Sequence, residues 1–291
     1  MPYHGSLPLQ TLLRAVARLP LPLLHLAGGL LGWILYLASP TYRRHLRQNL
    51  VQAGFADGAT RRAAIASAGK MLLELPGVWL RTREELNAWV RGIDGEALID
   101  EARAAGRGVV FITPHLGCFE ILAQVAGERF PITVLYRPPK LAFLQPMIEE
   151  GRAGRNVKLA PTDLSGVRQL VAALRAGEAV GMLPDQVPGE GEGEWADFFG
   201  RPAYTMTLAT KLASRPETET LLAYGERLAG GRGFVVRLRR MPPAEPGETP
   251  TRRLNRAIES LVRENPGQYL WGYNRYKTPR AAAARGKAPP G

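Results

Sequence analysis

The chain has a single cysteine, Cys118. That excludes an internal disulfide framework and a cysteine-based zinc site. Histidine is scarce too. His4, His25, His45 and His115 lie far apart in sequence, which argues against a histidine metal cluster and leaves no metal cofactor to expect. Acidic residues are missing from Met1 to Ala56, the first being Asp57. No zinc-finger spacing, RNP-type aromatic motif or Walker loop occurs, so no nucleic-acid partner is expected. No internal repeat is visible.

What is present is a globular composition. The 291 residues are 45% hydrophobic and 22% charged, enough for a sizeable core and too mixed for a disordered chain. A formal net charge of +12 favours an anionic partner such as a membrane, nucleic acid or a phosphorylated substrate. The acid-free start carries Arg14, Arg18, Arg43, Arg44 and Arg47 on both sides of an uncharged run, Leu19 to Tyr42. Its centre, residues 23–38, is close to the ~20 apolar residues that span a bilayer. Trp33 and Tyr36 suit an interfacial aromatic belt. The run starts late and lacks a small-x-small exit, so a cleaved signal is not expected. Residues 1–55 are therefore read as a hydrophobic, basic membrane-attachment segment with a membrane-associated helix. A buried core helix is the alternative. Residues 279–291 read as a disordered basic tail of low complexity.

Between them, residues 56–278 alternate helix and strand as one domain. Helices are expected over 59–75 (ended by Pro76), 96–105, 118–126, 141–150, 164–175 (closed by Gly177), 206–214 and 252–263. Strands are expected over 108–113, 132–136, 157–159, 179–183, 220–224 and 234–238. The Gly-Glu stretch 189–194 reads as a loop. This pattern predicts an α/β fold with a mainly parallel central sheet flanked by helices.

Ligands of such sheets bind beyond the carboxyl ends of the strands. The 108–113 strand leads straight into Pro114 and His115. Glu120 falls at the start of the next helix, where it could accept a hydrogen bond from one imidazole nitrogen and leave the other as a general base. A histidine bonded structurally at a strand end fits the same spacing. Cys118, three residues from His115, raises a thiol nucleophile as a competing reading.

His115-x4-Glu120 after an apolar strand resembles the His-x4-Asp/Glu motif of glycerolipid-type acyltransferases. Further segments, in order, resemble the lipid A biosynthesis (lauroyl/myristoyl) acyltransferase family. They are Leu31-Gly32-Trp33 with Arg47-Gln48-Asn49-Leu50, Tyr136-Arg137-Pro138-Pro139-Lys140, and Leu183-Pro184-Asp185-Gln186 with Phe198-Phe199-Gly200. The last is Pro266-Gly267-Gln268-Tyr269-Leu270-Trp271. Gly267 departs from the glutamate usual there. The resemblance covers about residues 30–278. It implies a lipid-modifying O-acyltransferase with no cofactor beyond its donor, an acyl thioester on acyl carrier protein. His115 would deprotonate a hydroxyl of a lipid A precursor, Glu120 would orient His115, and the backbone N–H at Gly117 would meet the oxyanion. Arg137, Arg152, Arg155, Asp185 and Gln186 would bind substrate, and Trp195, Phe198 and Phe199 could border the acyl chain. It also implies the cytoplasmic face of a bacterial inner membrane. Another membrane lipid as acceptor, or a basic membrane-binding protein without activity, remain the alternatives.

Overall fold

The computed structural model describes residues 7–136, 145–152 and 156–279. Among the described residues, seven strands form one sheet: β1 (Val90–Asp94), β2 (Gly108–Ile112), β3 (Ile132–Tyr136), β4 (Val157–Pro161), β5 (Ala179–Met182), β8 (Thr218–Arg227) and β9 (Phe234–Arg240). Their order is β1-β9-β8-β2-β5-β3-β4, and every neighbouring pair is parallel except β8 with β9. A separate hairpin pairs β6 (Gly193–Phe198) with β7 (Arg201–Met206).

β2 and β5 are buried on both faces, and their side chains alternate between two cores. Val110, Ile112, Val180 and Met182 face a core built with α9 (Leu164–Arg175), α10 (Thr207–Ala213) and α11 (Pro250–Glu264). Val109, Phe111 and Ala179 face the other, beneath α6 (Ala97–Ala104) and α7 (Ile121–Gly127).

The chain starts with α1 (Leu7–Arg18), α2 (Leu21–Ala38) and α3 (Pro40–Gln52), followed by α4 (Gly58–Leu80) and the short α5 (Arg83–Asn87). α2 lies against α4 with almost no side chain between them. A Cβ on Gly28 would sit 2.6 Å from the Lys70 Cα, and Gly32 and Gly69 meet backbone even more closely. One stripe of α2 (Leu21, Leu24, Gly28, Gly32, Tyr36) is buried. The opposite stripe (Leu23, Leu26, Leu30, Trp33, Ile34, Leu37) is exposed. Leu21 and Leu24 belong to the α6–α7 core, while Tyr36, with Leu46 and Leu50 of α3, belongs to the other. α2 is long and apolar enough to cross a membrane. Beneath it, Arg227 forms a bidentate pair with the buried Glu74, which also bonds the His25 Nε2 at 2.7 Å.

The expected α/β class and mainly parallel sheet are present. Three expectations need correction. The 59–75 helix does not stop at Pro76 but runs to Leu80, because its last turn is packed: Val78 is buried and Gly77 abuts the Trp89 ring. That packing offsets the ~3 kcal/mol a mid-helix proline costs. The expected loop 189–194 runs into the β6–β7 hairpin. Its two-residue turn holds Phe199 and Gly200 at φ 49° and 71°, both left-handed as tight hairpin turns require. β1 was not expected, being a half-exposed edge strand with no apolar alternation. The tail beyond Thr278, apart from Pro279, lies outside the described residues.

Candidate active site

β2 and β5 are parallel neighbours, with Ile112 opposite Met182. His115 and Asp185 both stand three residues beyond that pair, so the register delivers them to the sheet's carboxyl edge side by side. Asp185 Oδ1 lies 2.8 Å from the His115 Nδ1, and Oδ2 accepts the His115 backbone N–H at 2.9 Å. The carboxylate is 1% exposed and the imidazole 16%. Burial pushes the Asp185 carboxyl up, but the His115 ring, its two hydrogen bonds and the Arg275 charge outweigh it, leaving Asp185 below the ordinary carboxylate range. An ionised acceptor at Nδ1 holds the ring proton there and turns the lone pair of Nε2 outward. Gln186 places its amide nitrogen 3.2 Å from that Nε2.

The loop carrying His115 is clamped by the segment after α11. Leu270 donates to the His115 carbonyl at 3.0 Å, Gly117 donates to the Gln268 carbonyl at 3.1 Å, and Leu116 bridges Tyr269. Pro266 to Trp271 is thus the wall that fixes the histidine backbone. Gly117 has φ 60° and its Cα faces the Gly225 carbonyl so closely that only glycine fits. Gly267 stands against α4, where a Cβ would come 2.7 Å from that of Ala63.

His115 opens onto a cavity of about 260 Å³. Thr113, Phe119 and Glu120 line it beside His115, with the Phe119 ring 4.8 Å from the imidazole. Its interior is apolar, between the sheet and α6–α7, and extends to both sides of β2: to Ile132, Val134, Val157 and Leu159 on β3 and β4, and to Ala223, Val236, Leu238 and Ile93 on β8, β9 and β1.

Several expected roles change place. The hydrogen bond that Glu120 was expected to accept from His115 is accepted by Asp185, for which the family resemblance implies substrate binding. Glu120 sits just before α7, and its Oε2 accepts the Trp79 indole N–H at 3.1 Å. Trp79 lies beyond Pro76, outside the helix that the sequence predicts, and so carries no signal there. The Gly117 N–H, expected to meet an oxyanion, is committed to Gln268. Phe198 and Phe199 are not walls of this cavity: they pack with Trp271 and Phe55 in the core on the other sheet face, and the Trp195 ring meets Tyr204 edge-to-face. Cys118 is fully buried, and burial pushes its thiol well up, which removes the thiolate a nucleophile needs. Arg137 and Arg155 lie outside the described residues. Arg152 ends α8 (Gln145–Arg152), and its side chain is not among those described.

Comparison with known proteins follows the same outline. The family described as bacterial lipid A biosynthesis acyltransferase matches residues 9–278. The chain is 27% identical over 276 residues to the lipid A biosynthesis palmitoleoyltransferase of Escherichia coli (strain K12), covering 90% of this chain and 87% of that protein. Against the lauroyltransferase of the same organism identity is 23% over 272 residues, covering 90% and 88%. Against a lipid A biosynthesis acyltransferase of Haemophilus influenzae it is 22% over 277 residues, covering 91% and 88%.

Proposed function

The chain belongs to the bacterial lipid A biosynthesis acyltransferase family, and we propose that it moves an acyl chain from the thioester of an acyl carrier protein to a hydroxyl of a lipid A precursor. The observation that carries this reading is the His115–Asp185 pair at the mouth of an apolar cavity. His115 Nε2 takes the hydroxyl proton, and the oxygen attacks the thioester carbonyl. A C–O bond forms, the C–S bond breaks, and the imidazolium returns its proton to the departing thiolate. Asp185 holds the ring in the productive tautomer and stabilises its charged form, a role that costs nothing in reorganisation because the carboxylate is already buried in place. Glu120 adds a second negative charge at the mouth. Gln186, next to Nε2, offers a polar group to the reacting oxygens. Arg137, Arg152 and Arg155 remain candidates for phosphates of the acceptor or the carrier's prosthetic arm, as arginine forks suit phosphate.

The membrane reading rests on α2. Its buried stripe is fixed to α4 along its length, while its outer stripe of leucines and Trp33 is exposed. A helix so bound to the catalytic unit suits an in-plane position at the headgroup boundary, with the flanking arginines at anionic lipid. With a cytosolic donor, that surface is the cytoplasmic face of the inner membrane.

Lipid mass spectrometry of a strain lacking the gene tests the assignment. Lipid A should lose one acyl group and regain it on complementation with the wild-type chain but not with His115→Ala. Unchanged lipid A beside an altered phospholipid or other lipid would move the acceptor elsewhere.

A further inference from the structure

Glycines inside a sheet usually stand where backbone approaches backbone. Gly108 and Gly225 do: a Cβ on either would meet a carbonyl oxygen at 2.5 Å, that of Leu174 and that of Cys118. Gly181 does not. It sits inside β5, fully buried, between Phe111 on β2 and Val134 on β3. Its backbone does not require positive φ. Among the described residues, a Cβ there would meet only Ile132 Cδ1 at 3.5 Å and Val134 Cγ2 at 3.6 Å, both ordinary contacts. The backbone thus tolerates a side chain, and glycine in a strand interior costs stability. What its absence leaves is space, because Gly181 lines the cavity.

The position of that space matters. The mouth is at His115, beyond β2. The lobe lined by Val134, Leu159, Ile132 and Val157 lies over β3 and β4, and the rest of the lining, with Ala223, Val236, Leu238 and Ile93, lies over β8, β9 and β1 on the other side of β2. β5 separates β2 from β3 in the sheet. A chain entering at His115 and turning toward β3 and β4 crosses the end of β5, whose cavity lining is Gly181, Met182 and Leu183; Gly181 is the one of these without a side chain.

We propose that Gly181 is a specificity-determining residue: its missing side chain joins the mouth to the β3–β4 lobe and so sets the longest acyl chain the cavity accepts. This rests on the acyl-transfer reading above. A branched side chain at position 181 closes that passage and confines the chain to the part of the cavity under β2, β8, β9 and β1. Each methylene excluded from the cavity lowers preference about fourfold, the equivalent of about 0.8 kcal/mol at about 1.36 kcal/mol per decade.

The test is a competition. Purified full-length protein receives a lipid A precursor and an equimolar mixture of acyl carrier protein thioesters from eight to sixteen carbons (in ~two-carbon steps of roughly fifteenfold preference each), and product masses are read. Wild type, Gly181→Ala, Gly181→Val and Leu159→Ala are compared. Gly181→Val should lose at least tenfold of the longest wild-type product relative to one two carbons shorter, Gly181→Ala less, and Leu159→Ala should shift the profile to longer chains. Leu159→Ala keeps the test open should Gly181→Val fail to fold, because widening the lobe needs no added bulk. An unchanged profile in active Gly181→Val, or in Leu159→Ala, overturns the proposal. A wild-type protein that transfers no chain of any length overturns the acyl-transfer reading instead.

Discussion

Replacing Asp185 by asparagine isolates what the buried carboxylate does for His115. The substitution preserves volume and removes one charge. In the native site that charge accepts two hydrogen bonds from one residue, at 2.8 Å from the ring and 2.9 Å from the backbone. A hydrogen bond to a charged group contributes about 1.5–3 kcal/mol, which is a factor of roughly 10 to 150 in rate if it is realised in the transition state. A second effect adds to it. An asparagine that turns its NH₂ toward Nδ1 forces the ring proton onto Nε2, and the base then has no lone pair to offer. In the serine-protease triad the same exchange of aspartate for asparagine lowers the rate by ~10⁴. The expected fall in kcat is therefore ~10² to 10⁴, with KM little changed, because neither hydrogen bond touches substrate. The assay is acyl transfer from a radiolabelled acyl carrier protein thioester, with circular dichroism to show an intact fold. A variant within threefold of wild-type kcat would refute the reasoning and return the orienting role to Glu120.

Other perturbations separate the remaining claims. Cys118→Ser should keep at least about a tenth of wild-type activity, since a general-base reaction of this kind needs no thiol; a folded but inactive variant would restore the nucleophile reading. Leu26→Ser with Leu30→Ser removes two outward leucines that are 66% and 61% exposed. At ~1.5–3 kcal/mol for a fully buried leucine, partition onto anionic vesicles should fall at least about 30-fold, insensitive to salt, and unchanged sedimentation would sink the in-plane attachment. Burial raises the Glu74 carboxyl, but the Arg227 charge and its hydrogen bonds, with His25, win and hold it at about 2, below the ordinary 4.5. A depressed pKa means that the folded state binds the proton less readily than the unfolded one. Its contribution is therefore full above pH 4.5 and is lost as pH falls toward 2, ~3 kcal/mol in all. Urea titrations across that window should show the slope in wild type and not in Glu74→Gln, which leaves Arg227 unpaired and should be less stable at neutral pH by roughly 3–5 kcal/mol.

Legibility in the sequence tracked how local each feature is. The buried strands β2, β3 and β5 announce themselves as short apolar runs, and the edge where His115 sits follows from the α/β pattern alone. The pairing of His115 with Asp185 does not. It depends on β2 and β5 being neighbours in register, and 70 residues separate the two side chains. The sequence offered Glu120 because it is near in the chain, whereas the sheet offered Asp185. The same limit hid Trp79, which needed a helix continued through Pro76 by tertiary packing. It also hid β1, whose exposed edge carries no periodic signal. The aromatic pair Phe198 and Phe199 was visible, but which core it fills depends on the β6–β7 hairpin, whose Phe-Gly turn lacks the usual Asn-Gly signature.

The most direct test of the account is one mass measurement. Purified wild-type protein and His115→Ala are incubated with an acyl carrier protein thioester and a lipid A precursor that has a free hydroxyl. The account predicts a product heavier by one acyl chain, as an ester, with wild type, and a rate lower by at least ~100-fold with His115→Ala, the usual scale for losing a general base. No product with wild type, or equal product from both proteins, would contradict it.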